Sequence, residues 1–333
     1  MIEIKKKIIQ DNFFSPPKKE KSGAKFTFID LFAGIGGIRI GFESVGGECV
    51  FTSEWDGPAK KTYQENFGEI PYGDITKIKP KEIPPFDILL AGFPCQPFSQ
   101  AGLKKGFEDT RGTLFFDIAR IVKHHKPRVV FLENVRNLRT HDKGNTLKVI
   151  IKTLEDLKYK VYYNLFNAKD FGVPQNRVRI YIIAFREEVE FEFPTPPKTQ
   201  TCLGDILEKK VPDKYTISDR LWAGHQRRKK EHKEKGNGFG YSIFDEKSNY
   251  TSTMSARYYK DGSEILIKQK GKNPRKLTPR EASRLQGFPK NFVIPVSDGQ
   301  AYKQFGNSVA VPVIKAIAKK IIKSINKKLN VKN

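Results

Sequence analysis

The segment GFPCQPFSQ (92–100) sets one of only three cysteines between Pro94 and Pro97. The prolines stiffen the backbone on either side of it. The apolar run FDILLAG (86–92) reads as a strand, which puts Cys95 at its carboxyl end. In open α/β sheets ligands bind at that edge. A thiol held there, close to loop amides or a helix N-terminus, ionises more easily than a free one. A second apolar run, PRVVFLENV (127–135), ends in Glu133 beside Asn134 and can face the same crevice. QNRVRIYII (175–183) then supplies Arg177 and Arg179, which a two-residue spacing places on one face of a strand. One of the two is expected to reach the crevice. Cysteine catalysis of acyl transfer wants a histidine base, and none of the five histidines is suitably spaced; all five read as surface residues. A thiolate with a carboxylate and an arginine suits an electron-poor pyrimidine ring instead. Sulfur adds at C6, the acid holds N3 and the exocyclic amine, and the arginine holds O2. C5 then becomes nucleophilic and can accept an electrophilic methyl group.

A methyl donor needs its own seat. KFTFIDLFAGIGG (25–37) reads as a buried strand that runs into a glycine loop, a geometry that lets backbone approach a ligand closely. It is neither the GxGxxG dinucleotide fingerprint nor a phosphate loop with its lysine. Glu54, at the end of the strand GGECVFTSEWD (46–56), can accept ribose hydroxyls, and Asp74 in YGDIT can receive an adenine amino group. Either acid taken singly fits a helix cap equally well.

The elements that must position these groups alternate. Strands at 25–32, 46–56, 86–92, 127–135 and 177–185 are separated by helical stretches such as 112–126 and 144–158. That alternation predicts a doubly wound, mostly parallel α/β sheet covered on both faces. Residues 1–25 read as a basic lead-in, 26–190 as the catalytic and cofactor-binding domain completed by 300–333, and 191–299 as an inserted smaller domain with its hinge. GNSVAVPVIKAIAKKIIKSI (306–325) is expected to be one long amphipathic helix that packs back on the first domain. Lys and Arg total 61 against 37 Asp and Glu, a net charge of +24 that favours a polyanionic partner such as nucleic acid. Cys49, Cys95 and Cys202 lie far apart without a CxxC, which argues against a disulfide framework and against zinc. The start lacks a signal-peptide pattern and no window reads as a membrane span. A cytoplasmic, metal-free monomer is expected.

At this point the motifs are recognisable together. The chain resembles the bacterial DNA (cytosine-5) methyltransferases of restriction–modification systems. DLFAGIGG resembles the S-adenosylmethionine loop of that family, GFPCQPFSQAG its catalytic loop, ENV its acid motif and QNRVRIY its arginine motif. RKLTPREASRLQGFP and FGNSVAVPV resemble its two closing motifs, in the family's order. The resemblance implies an S-adenosylmethionine-dependent, Rossmann-like fold and base flipping in double-stranded DNA. It implies Cys95 as nucleophile, Glu133 on N3 and the amine, and Arg179 on O2 with Arg177 nearby. It implies a cofactor site of Asp30, Phe32, Ala33, Gly34, Gly36, Gly37, Glu54, Trp55, Asp74, Ile75, Pro94, Leu114, Asn307 and Val309. Gln96 and Ser99 would touch DNA backbone or the vacated space. GLKKGFEDTRGT (102–113), with Lys104, Lys105 and Arg111, could close over DNA as a lid. A restriction endonuclease would be a functional partner without stable association.

Within the insert, SARYYKDGSEILIKQ (255–269) reads as a hairpin turning at Asp261-Gly262. Arg257, Tyr258, Tyr259 and Lys260 are expected to reach base edges or phosphates there. The stretch resembles target-recognition segments of family members that act on CCGG- or CCNGG-like sites. RKLTPREASRLQGFP (275–289) predicts a capped helix with Thr278 as N-cap, Pro279 at N1, Glu281 at N3 and Gly287 past the end. A tRNA cytosine-5 methyltransferase, a non-catalytic DNA-binding module and a nicotinamide oxidoreductase are the rival readings. The full motif set and the long insert favour a DNA enzyme.

Overall fold

The computed structural model describes residues 24–94 and 114–331. Ten elements build the first unit: β1 (Phe26–Leu31), α1 (Gly37–Glu43), β2 (Gly47–Ser53), α2 (Gly57–Phe67), β3 (Ile88–Gly92), α3 (Leu114–His125), β4 (Val129–Val135), α4 (Asn145–Asp156), β5 (Lys160–Asn167) and β6 (Val178–Phe185). The six strands form one sheet in the order β2-β1-β3-β4-β6-β5. The ladders from β2 through β4 are parallel. Those joining β6 to β4 and to β5 are antiparallel. The expected doubly wound, mostly parallel α/β sheet is therefore present.

Near-continuous apolar runs such as ILLAG and VVFLENV suit strands buried on both faces. Side chains alternate between two cores. Phe28, Ile88, Leu90 and Phe131 face one way, and Ile29, Leu89, Val130 and Leu132 the other. The first face is covered by α1 and by α8 (Val311–Val331), which lays Ile314, Ile317, Ala318 and Ile321 on it. Lys315, Lys319 and Lys323 stay exposed on the opposite side. Each buried isoleucine stabilises the docking by roughly 1.5–3 kcal/mol.

The single helix expected over 306–325 is divided. α7 (Asp298–Asn307) ends first, Ser308 is extended, and α8 starts at Val311. Pro312 explains the restart, because a residue without an N–H and with a fixed φ is at home only in a helix's first turn. The break leaves Ser308–Ala310 irregular at the mouth of the sheet.

The stretch 191–299 contributes α5 (Asp219–Glu234), the two-residue strands β7 (Ile243–Phe244) and β8 (Leu266–Ile267), and α6 (Pro279–Leu285). Its core of Leu203, Tyr215, Met254, Leu277 and Leu285 continues into Ile35 and Phe305. α6 carries the expected capping box: Glu281 N donates to Thr278 Oγ1, and Thr278 N donates to Glu281 Oε2 at 2.8 Å. Gly287 follows with a left-handed φ of 72°. Glu281 also takes both arms of buried Arg275 at 2.7 and 2.8 Å.

Three expectations for residues 191–299 are corrected. Leu266 and Ile267 pair in parallel with Ile243 and Phe244, so the stretch around Asp261-Gly262 is a turn and not a hairpin. Tyr258 is fully buried. Its hydroxyl donates to Ile265 O at 2.7 Å and accepts from Leu277 N at 2.8 Å, and its ring packs edge-on against Tyr302. Tyr258 is thus a core residue, while Arg257, Tyr259 and Lys260 are exposed. His225 is likewise buried, packed beneath the turn with its Nε2 3.3 Å from Asp261 O, rather than on the surface. No helix among the described residues is long and apolar enough to cross a membrane.

Candidate active site

A cleft of about 720 Å³ opens at the carboxyl ends of β1, β2, β3 and β4. Its floor is the glycine loop. Phe32, directly after β1, holds a φ of 55°, an unusual conformation for a bulky residue and one that costs on the order of 1–3 kcal/mol. Gly36 has a φ of 81°, and a Cβ there would come within 2.3 Å of the Phe67 ring. Only glycine satisfies both the turn and that packing. Behind the loop, the Arg39 guanidinium pairs with Glu43 and Glu69, donates to the Tyr63 hydroxyl, and lies over the Phe67 ring. This buried node ties α1 to α2, the two helices that carry the loops flanking the cleft.

Glu54 directly follows β2, with its carboxylate turned back onto the loops. Oε2 accepts from Gly34 N, and Oε1 from Trp55 N and Asp56 N, each at 2.8 Å. A carboxylate has about four acceptor sites, so one remains for a ligand hydroxyl. The Trp55 ring is 80% exposed against the cleft. Asp74 also lines the cleft, and its Oδ1 caps the turn Ile75–Lys77 by accepting from Thr76 N and Oγ1. An anchored acid, an exposed indole and a polar turn suit a nucleoside-bearing cofactor. Ala33, Gly34, Gly37, Ile75, Pro94, Leu114, Asn307 and Val309 complete the expected lining.

Asp30 does not. It is fully buried within β1, away from the cleft, and burial pushes its carboxyl up to about 8 despite nearby Arg39. Among the described residues neither of its oxygens has a hydrogen-bond partner, nor does the hydroxyl of its register neighbour Thr52. Gly36 also falls outside the lining and serves the loop's packing. Sequence reasoning missed Lys303, whose Nζ meets Asp56 Oδ2 at 2.6 Å and closes one wall, and Gln304 beside it. The two partners of that bond are 247 residues apart, and Lys303 stands in no recognisable motif.

The opposite wall holds the candidate catalytic groups. Glu133 and Arg179 stand on the antiparallel neighbours β4 and β6, where Glu133 pairs with Tyr181 and Arg179 with Val135. Across that diagonal, Arg179 Nε lies 3.3 Å from Glu133 Oε1. Burial raises the Glu133 carboxyl above its ordinary range, while Arg179 and then Arg177 pull it back. Asn134 Nδ2 donates to Phe93 O at 2.8 Å, which pins the stem leading to Pro94 against the Glu133 strand. Arg177 lines the cleft too, but its terminal nitrogens are committed to the carbonyls of Met254, Gly306 and Ser308. Cys95, Gln96, Ser99, Lys104, Lys105 and Arg111, with the lid expected over 102–113, lie outside the described residues. The other two cysteines are unsuited to attack. Burial drives the Cys49 thiol up to about 12, and Cys202 Sγ donates to Glu246 O at 2.9 Å.

Known proteins resemble this chain in sequence and in fold. The family model described as C-5 cytosine-specific DNA methylase matches residues 26–323. The chain is 64% identical over 318 residues to Type II methyltransferase M.SsoII of Shigella sonnei, covering 94% of this chain and 84% of that protein. It is 49% identical over 338 residues to Type II methyltransferase M.HpaII of Haemophilus parainfluenzae, covering 95% and 94%. Among solved structures, the S. pombe Dnmt2 methyltransferase superposes with a TM-score of 0.76 at 19% identity, over 91% of this chain and all of that one.

Proposed function

The chain belongs to the C-5 cytosine-specific DNA methylases, and on that premise we propose that it methylates C5 of one cytosine within a specific duplex site as the modification enzyme of a type II restriction–modification system. The observation that carries the reading is the buried Glu133–Arg179 pair, set beside the Phe93–Pro94 stem of the cysteine loop.

A stacked cytosine cannot offer C6 to a thiol, so the base leaves the duplex and enters the cleft. Cys95 adds to C6. Glu133 holds N3 and the exocyclic amine, and Arg179 holds O2. S-adenosylmethionine, when bound, supplies the electrophilic methyl group that C5 accepts. Loss of the C5 proton then expels the Cys95 thiolate and restores the ring. Glu54 would hold the ribose of that cofactor, with Trp55 and Asp74 beside its adenine.

Residues 191–299 serve as the target-recognition domain, with Arg257, Tyr259 and Lys260 toward DNA. The site is CCGG- or CCNGG-like, on the likeness of the 255–269 stretch. The net charge of +24 supplies phosphate contacts and makes binding strongly salt-dependent. The enzyme acts as a cytoplasmic monomer beside a separate endonuclease. A tRNA substrate is not favoured, since the relatives are named type II methyltransferases. Bisulfite sequencing of DNA from cells expressing the chain tests the reading. One methylated cytosine in a short repeated motif is expected, and an unmethylated genome would reject it.

A further inference from the structure

Residues 174–177 and 251–254 run side by side, bridged in parallel at Gln175 and Thr251. Thr251 N donates to Pro174 O at 2.9 Å, and Asn176 N donates to Thr251 O at 2.8 Å. Met254 is then gripped at both of its backbone groups. Its N–H donates to Gln175 Oε1 and its carbonyl accepts from Arg177 Nη1, each at 3.0 Å. Gln175 and Arg177 are both buried. Each keeps a second hold elsewhere. Gln175 Nε2 donates to Leu285 O at the end of α6. Arg177 Nη2 donates to Gly306 O and Ser308 O across the break between α7 and α8.

The junction is also fixed by shape. A Cβ on Gly306 would come within 2.3 Å of Ser255 O, so the backbone of the insert lies directly on the cleft wall. A buried guanidinium spent on backbone carbonyls carries a desolvation cost, and among the described residues Arg177 Nε has no partner. The arrangement lies between two working parts. Two residues beyond Arg177 is Arg179, which meets Glu133. Three residues beyond Met254 begins the exposed segment of Arg257, Tyr259 and Lys260.

We infer that Gln175 and Arg177 are positioning residues that fix the register between the recognition segment and the cytosine and cofactor pockets, so that discrimination between DNA sites depends on both although neither reads a base. The inference rests on the methyltransferase reading above. Specificity is a difference between cognate and near-cognate substrates, and a site whose supporting shell is loose loses that difference. Lysine cannot replace Arg177, because a single ammonium does not span three carbonyls as a planar fork does. Methionine at 175 keeps the bulk of glutamine and removes both of its hydrogen bonds.

The test compares full-length wild type, Arg177→Lys and Gln175→Met on the cognate duplex and on duplexes with one flanking base pair changed. Each protein is also measured for S-adenosylmethionine affinity and for cooperative melting. The ratio of cognate to near-cognate kcat/KM is expected to fall on the order of tenfold in both variants. Gln175→Met touches no cofactor-lining group and should keep wild-type cofactor affinity. Folded variants with an unchanged ratio would overturn the inference, including the case where turnover falls equally on every duplex. If Arg177→Lys does not fold, Gln175→Met alone decides. A wild-type protein that methylates no duplex at all would instead reject the functional reading.

Discussion

Arg179 Nε stands 3.3 Å from Glu133 Oε1, with both side chains nearly buried on adjacent antiparallel strands. Burial, opposed by this contact, governs the protonation of the acid. Burial alone pushes the Glu133 carboxyl up, and the Arg179 charge opposes that rise. Replacing Arg179 with methionine removes the larger of the two opposing charges, so the Glu133 midpoint should move higher still. Carboxyl carbon NMR of the folded variant reads this directly. A midpoint that is unchanged or lower would contradict the coupling.

Glu133→Gln keeps the shape of the acid but cannot exchange a proton. Methyl transfer should fall on the order of 10²–10⁴-fold, the range for loss of a positioned acid–base group. Single-turnover transfer of labelled methyl groups measures it. A loss below tenfold would remove Glu133 from the chemistry.

Trp55 offers a ring that is 80% exposed, so its removal should not disturb folding. Stacking of a base on an aromatic ring is worth about 1–3 kcal/mol. Trp55→Ala should therefore weaken S-adenosylmethionine binding by about 5- to 150-fold at an unchanged melting temperature. Calorimetric titration checks the first and thermal unfolding the second. Wild-type affinity in the variant would move the adenine elsewhere.

Asp30 gives a stability prediction with a definite sign. Its folded carboxyl sits at about 8 against an ordinary 3.8. The folded protein keeps a proton that the unfolded chain releases above about pH 4, so this contribution is full below that pH and is lost as pH rises towards 8. Asp30→Asn should flatten that part of the profile. Urea denaturation across pH 4–8 tests it, and identical slopes for the two proteins would refute it.

The frame of the site is legible in the sequence because it is local. Apolar runs buried on both faces announce β1, β3, β4 and β6, and the parallel strands β1, β3 and β4 end at the edge that lines the cleft. Glu133 can be assigned from β4, Glu54 from its place directly after β2, and Arg179 from the amino end of antiparallel β6, which meets the same edge. The capping box at Thr278 and Glu281 is local as well. What escapes is non-local. Tyr258 beside an Asp-Gly turn looks exposed until Leu277 N and the Tyr302 ring claim it. Arg177 looks like a twin of Arg179 until Met254, Gly306 and Ser308 take its donors. The one missed local signal is Pro312, which marks the start of α8 and hence the break that shapes the cleft.

Attack by Cys95 on C6 of the target cytosine is the step on which the proposed methyl transfer depends. Fluorine at C5 blocks the proton loss that releases the thiolate, so duplex DNA carrying 5-fluorocytosine at the target should trap the enzyme. With S-adenosylmethionine present, wild type is expected to give a denaturant-resistant protein–DNA adduct at Cys95, and Cys95→Ser none. An active wild-type enzyme that forms no adduct, or a Cys95→Ser protein that retains full turnover, would contradict the account.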